Sequence, residues 1–379
     1  VHVTGYAYPW DVGPEFADRV RDLGVDEVAV AVSYHSARAA TPWSKQGTSV
    51  TARYAALYRP IRDGWGRLRP APADWVDSAD SAGDAIRALA AAGIPAAAWL
   101  VLTHNSLLGA EFPEFAVQNC FGEIYPWALC PAQAEVRAFA ARLTAESLAE
   151  LDVRSVVLEA CGQLGAIHQH QHEKTDAVWS PATARLLSVC CCAACAAGWA
   201  EHDVLPEAAR ALLREEVRRL IAEGDLTATE DRLPGELRAA FLSTRQRATD
   251  RLRQDVLKEI GGDRRVVLHG AIDPWVTGAL PGLTPQAAHD VDAVVLPCWV
   301  PGAPTVANVA ATAGSIPAAV DIGAYVTAAG PEVPDIAGYV RELGRAGATE
   351  LHLYHLGLAG PARWPDLRRA VEQAHGRPT

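Results

Sequence analysis

One phrase recurs along the chain: a helix-forming stretch, then Gly or Asp, then a short apolar run rich in β-branched residues. Leu23-Gly24-Val25-Asp26 leads into Glu27 to Val32, Ala92-Gly93 into Ile94 to Val101, and Leu151-Asp152 into Val156 to Leu158. Gly261-Gly262 leads into Val266 to Leu268, Asp290-Val291-Asp292 into Ala293 to Leu296, and Ala346-Gly347 into Leu351 to Tyr354. Most runs lack strict polar alternation, which suits parallel strands covered on both faces. Val3 to Tyr8 and Ala318 to Val326 complete a set of eight strands, with helical stretches between them. Eight strand–helix units ending on a helix predict a (β/α)8 barrel. A doubly wound open sheet is the competing solution. Against it, the first strand runs into Tyr8-Pro9-Trp10-Asp11, with no Gly-rich phosphate turn. The 379 residues exceed a minimal barrel of about 250. The surplus is expected in one barrel domain over 1–379, carrying a helical insertion around 175–260 and long loops after strands two (37–80), three (104–133) and four (160–199).

Composition narrows the function. A net charge of −11 without a Lys/Arg-rich run argues against nucleic acid as a partner. No apolar run approaches the roughly 20 residues that span a bilayer, so no membrane partner is expected. Eight cysteines, three of them consecutive, fit a reduced cytoplasmic protein better than a disulfide framework. The oligomeric state is not legible.

In a barrel the loops after the strands build the active site. Strand four ends Leu158-Glu159-Ala160. A carboxylate closing a buried strand must be paired, protonated or functional, which makes Glu159 the first catalytic candidate. Asp273, in the turn-prone Asp273-Pro274, and Glu332, in Gly330-Pro331-Glu332, are candidate partners. His35, His104, Asn105 and His269 stand at or near strand ends and are expected to contact substrate. Tryptophans in the predicted loops, including Trp275 and Trp299, and tyrosines including Tyr58 and Tyr354, offer flat faces and hydroxyls for a sugar; packing down long loops is the competing role.

The loop after strand four holds His168, His170 and His172, which share one face if extended, followed by Glu173. That set suits zinc. Farther on, Cys192 and Cys195 form a C-x2-C pair, half of a zinc site, with no evident second half; buried thiols packing as small hydrophobes are the alternative.

Ser33-Tyr34-His35 with Leu57-Tyr58-Arg59-Pro60, then Leu158-Glu159, then His172-Glu173-Lys174 and the Cys cluster resemble glycoside-hydrolase-like barrel proteins. The resemblance implies a catalytic carboxylate at the end of strand four, where Glu159 stands. It places a second carboxylate after strand five, six or seven, where Asp273 and Glu332 stand without a clean motif. The expected protein is a glycoside hydrolase or related carbohydrate-active enzyme with a carbohydrate substrate. Its chemistry requires no cofactor, with zinc as the candidate ion if one is bound. A metal-dependent hydrolase built on the His-rich loop and a non-catalytic sugar-binding barrel are the alternatives.

Overall fold

The structure, a computed structural model, describes residues 1–167, 174–175, 177–327, 329–330 and 332–376. Eight strands form a closed parallel barrel: β1 (His2–Ala7), β2 (Glu27–Tyr34), β3 (Ala96–Val101), β4 (Ser155–Glu159), β5 (Arg265–His269), β6 (Ala293–Pro297), β7 (Asp321–Thr327) and β8 (Glu350–Tyr354). Closure is direct, because β1 pairs in parallel with both β8 and β2. The expected (β/α)8 architecture is therefore the observed one. Strand seven starts at Asp321 rather than Ala318, because Pro317 to Val320 form a turn closed by Val320 N–H to Pro317 O at 3.0 Å.

Outside the barrel lie α1 (Pro14–Leu23), α2 (Ser81–Ala91), α3 (Ala134–Leu148), α4 (Gly235–Ile260), α5 (Ala287–Asp290), α6 (Ala303–Ala313), α7 (Ile336–Arg345) and α8 (Trp364–Ala374). Local chemistry sets their ends. Pro14 opens α1 where its missing N–H costs nothing, and Gly24 closes it in the left-handed region at φ 82°. Asp335 caps α7 by accepting the Gly338 N–H at 2.8 Å. Buried Arg253 pins the 26-residue α4 to the β5–β6 connection through Asp290, at 2.7 Å.

The surplus residues form excursions at the C-terminal ends of β2, β3 and β4. Two of the loops expected from the sequence contain hairpins, Ala37–Ala40 with Ser49–Ala52 and Ala116–Gln118 with Ile124–Leu129. The insertion after β4 carries helices Pro181–Leu187, Ala193–Ala200 and Pro206–Glu223 before α4. Among the described residues no helix is long and apolar enough to cross a membrane.

The barrel interior is unusually polar. A barrel of this kind is ordinarily filled by branched apolar side chains. Here Tyr6, Trp99, Glu159, His269, Tyr325 and His352 are all buried and in mutual contact. Gly323 on β7 makes room for them: a Cβ there would stand 2.6 Å from the His352 ring.

Candidate functional site

A cavity of about 440 Å³ opens at the C-terminal end of the barrel. Its wall carries the aromatic rings of Tyr34, Trp299, Tyr325 and Tyr354, and His35 stacks on His104 at 4.4 Å. Glu159 is the single carboxylate on its described lining, and no Lys or Arg lies there.

Local backbone chemistry aims Glu159. The next residue, Ala160, sits in the left-handed region at φ 51°, which costs a non-glycine residue about 1 kcal/mol. Neighbours over-determine it. Thr103 donates its hydroxyl to Ala160 O at 2.7 Å, and Ala160 N–H reaches Ala279 O at 2.8 Å. The chain thus turns sharply away after β4 and leaves the Glu159 side chain at the barrel mouth. One carboxylate oxygen accepts the Trp99 indole N–H at 2.8 Å, and the same oxygen lies 3.6 Å from His269 Nδ1. Burial holds the hydroxyls of Tyr34, Tyr325 and Tyr354 in their neutral form by raising them, and it lowers His35.

The other expected residues divide. His35, His104, Trp299 and Tyr354 line the cavity with Glu159. His269 lies one layer below, fully buried and bonded to Tyr6. Asn105 caps the helix Ser106–Glu111 by accepting the Leu108 N–H at 3.0 Å. Tyr58 packs away from the cavity against Trp10 and Trp75. The Trp275 carbonyl accepts from Arg245 at 2.9 Å, off the cavity lining. Asp273 is exposed and caps its own turn by accepting the Trp275 N–H at 2.9 Å, while Glu332 is exposed; neither is on the lining. His168, His170, His172 and Glu173 lie outside the described residues.

Sequence reading passed over three contributors. Trp99 was hidden inside a strand of small residues, Ala96-Ala97-Ala98, where a lone indole among alanines was the available signal. Val276 to Leu280, the loop after β5 that forms a cavity wall, carries no charged residue and Thr277 as its single polar side chain. The third is the missing half of the cysteine site.

Cys192 and Cys195 meet Cys190 from the same excursion and Cys130 from the end of the strand Ile124–Leu129. The four sulfurs lie within 4.8 Å of one another and all four residues are buried. Cys130 Sγ stands 3.6 Å from Cys195 and 3.7 Å from both Cys190 and Cys192. Tetrahedral zinc with Zn–S bonds of about 2.3 Å needs sulfur–sulfur edges of roughly 3.8 Å, so the set fits that ion with little adjustment. Hydrogen bonds shared with Cys130, Cys190 and Cys195 hold the Cys192 thiol below its ordinary value. Gln133 Nε2 approaches Cys192 Sγ at 3.6 Å, an outer hydrogen bond of the kind that orients a thiolate. Among the described residues this is the one cluster with metal-site geometry, and it ties the excursion after β3 to the excursion after β4.

No family model and no curated protein matches the chain. Solved structures do. The catalytic domain of a β-amylase from Paenibacillus polymyxa matches at 12% identity and a TM-score of 0.57, over 100% of this chain and 99% of that one. A β-galactosidase from the psychrophilic Marinomonas ef1 matches at 12% identity and 0.58, over 100% of this chain and 61% of its own. An α-L-fucosidase from Paenibacillus thiaminolyticus matches at 10% identity and 0.56, over 99% and 49% respectively. The chain thus spans about half of the fucosidase and three fifths of the galactosidase. The fold is the α/β barrel that these glycoside hydrolases share.

Proposed function

We propose that the protein is a glycoside hydrolase or closely related carbohydrate-active enzyme, with Glu159 as its acid–base group. The observation that carries this reading is a lone carboxylate in an aromatic-walled cavity at the C-terminal mouth of a barrel of glycosidase type. A sugar seated there has Trp299 and the His35–His104 stack as flat partners. Protonated Glu159 gives its proton to the departing glycosidic oxygen. Positive charge then develops on the sugar ring, faced by the oxygens of Tyr34, Tyr325 and Tyr354; as the C–O bond to the leaving group breaks, water adds to the anomeric carbon and gives its proton to the Glu159 carboxylate, which restores the acid. The Tyr325 hydroxyl has no partner among the described residues and is free to serve a ligand. Asp273 and Glu332 are off the lining, so this reading gives neither a part in the bond cleavage.

The cysteine set is assigned to one structural zinc. Four buried sulfurs leave no open position for substrate, so the ion would contribute stability rather than bond-breaking chemistry. Metal analysis of the purified protein is expected to return one zinc per chain, and close to none in Cys130→Ser.

The functional test is hydrolysis of a broad panel of aryl and natural glycosides by the wild type and Glu159→Gln. Cleavage by the first and its loss in the folded second supports the reading. Equal cleavage by both removes Glu159 from the mechanism. Sugar binding without turnover by either protein replaces the enzyme with a sugar-binding barrel.

A further inference from the structure

Below the cavity a file of side chains runs through the barrel, each touching the next. Glu159 on β4 faces His269 on β5, whose Nε2 is 2.9 Å from the Tyr6 hydroxyl on β1. The same hydroxyl is 3.0 Å from His352 Nδ1 on β8, and His352 Nε2 is 3.3 Å from Glu350. Glu350 ends the file at the barrel floor, 2.8 Å from Arg265.

Donor and acceptor roles propagate along this file. Burial opposes the Glu350 charge, but the hydrogen bond from His352 and the charges of Arg265 and His2 hold it below its ordinary value, so it is an acceptor. His352 Nε2 therefore carries the hydrogen. Burial lowers His352, which keeps it neutral and leaves Nδ1 bare. Bare Nδ1 takes the Tyr6 hydroxyl hydrogen, and burial keeps that phenol protonated. Tyr6 oxygen must then accept from His269, so His269 Nε2 bears a hydrogen. Neutral His269 is left with a bare Nδ1, and that lone pair faces a carboxylate oxygen 3.6 Å away. Two lone pairs facing one another inside a barrel repel, and a proton on either group removes the repulsion. Among the described residues no other partner meets His269 Nδ1.

We propose that His269 is a positioning residue for Glu159, and that the file anchored at Glu350 forces the Glu159–His269 pair to hold one proton at neutral pH. The proposal deepens the glycosidase reading, since it says how the site comes to hold an acid. The titratable groups facing the pair are Tyr6 from β1, Tyr34 and His35 from β2, Tyr325 from β7 and Tyr354 from β8. Burial keeps each of them neutral, so none supplies the missing charge or competes for the proton.

The test needs no substrate, so its failure and the failure of the glycosidase reading are separate events. Nitrogen-15 NMR of histidine-labelled protein reads both nitrogens of His269, assigned by the resonances lost in His269→Gln or through ring contacts with Tyr325. Infrared difference between wild type and Glu159→Gln reads the carboxyl. Two results support the proposal: a bare Nδ1 with a protonated carboxyl, or an imidazolium with a carboxylate. A neutral His269 beside a carboxylate overturns it, and so does a hydrogen-free Nε2. Tyr6→Phe removes the acceptor that fixes the tautomer. The expected result is a hydrogen on Nδ1, loss of the shared proton, and, on any substrate turned over, an alkaline limb lowered by about one pH unit. An unchanged proton count in a folded Tyr6→Phe also overturns the proposal. Should that variant not fold, the wild-type spectra alone decide.

Discussion

Among the buried glutamates of the barrel strands, Glu159 at the mouth and Glu350 on the floor stand in opposite circumstances. Glu350 has a guanidinium at 2.8 Å, and that same Arg265 also holds Asp321 at 2.6 Å. Glu159 has an indole N–H and an imidazole, and no Lys or Arg on the described cavity lining. Both are carboxylates at inward strand positions, so residue type does not separate them. The partner does. A paired carboxylate stays charged and stabilises; an unpaired one at an open cavity is free to trade a proton with whatever enters.

Exchanging each glutamate for its amide is the sharpest way to break the contrast. Glu159→Gln should cost roughly 10³-fold in kcat/KM on any glycoside the wild type cleaves, with little change in melting temperature. Glu350→Gln should move the weight to the fold: it lowers the alkaline limb of turnover by up to about one pH unit, as loosening the anchor of the file predicts, and it lowers stability by about 2 kcal/mol, since Arg265 keeps Asp321 but loses its charged partner at 350 and His352 keeps only a neutral acceptor. The second effect carries a pH signature. Because the folded Glu350 sits below its ordinary value of 4.5, its contribution is present above that value and disappears as pH falls through the folded one. Urea unfolding of wild type and Glu350→Gln should therefore converge in acid and diverge near neutrality.

Gly323→Ala tests how the two ends communicate. The added methyl meets His352 and Val295 at under 3 Å, so a loss of about 1–3 kcal/mol is expected, together with a shift in the His352 resonances. Trp299→Ala acts on the mouth alone. It should raise KM by about tenfold and leave kcat within a few-fold, as removal of a stacking face does. The smallest effects belong to Asp273→Asn and Glu332→Gln, both expected within twofold in activity. A hundredfold loss in either would bring that loop into the chemistry and break the contrast as drawn here.

The strands were readable because each is a short apolar run after a Gly or Asp, and burial on both faces leaves no other use for such a run. Glu159 was readable because it interrupts one of them. Asp273 looked equivalent but is a turn cap; a single chain position does not say which way the side chain faces. Asn105 shows the same ambiguity, since its polar side chain at a strand end satisfies a helix N-terminus. The cysteine site was half legible. Cys192 and Cys195 announce themselves by spacing, whereas Cys130 arrives from another excursion and only the folded chain brings it within 3.7 Å. The file from Glu159 to Glu350 was not legible, since its five groups come from four strands and their order is set by barrel closure.

Gly323 and His352 are two positions that act as one. The ring fills the space that a side chain on the neighbouring strand would take. A related barrel that kept a bulky residue at 323 would have to give up the imidazole at 352, and with it the tautomer chain above. One that shrank 352 would release 323 to vary. Among homologous sequences the pair should therefore change together or not at all, a correlation that can be looked for before any protein is purified.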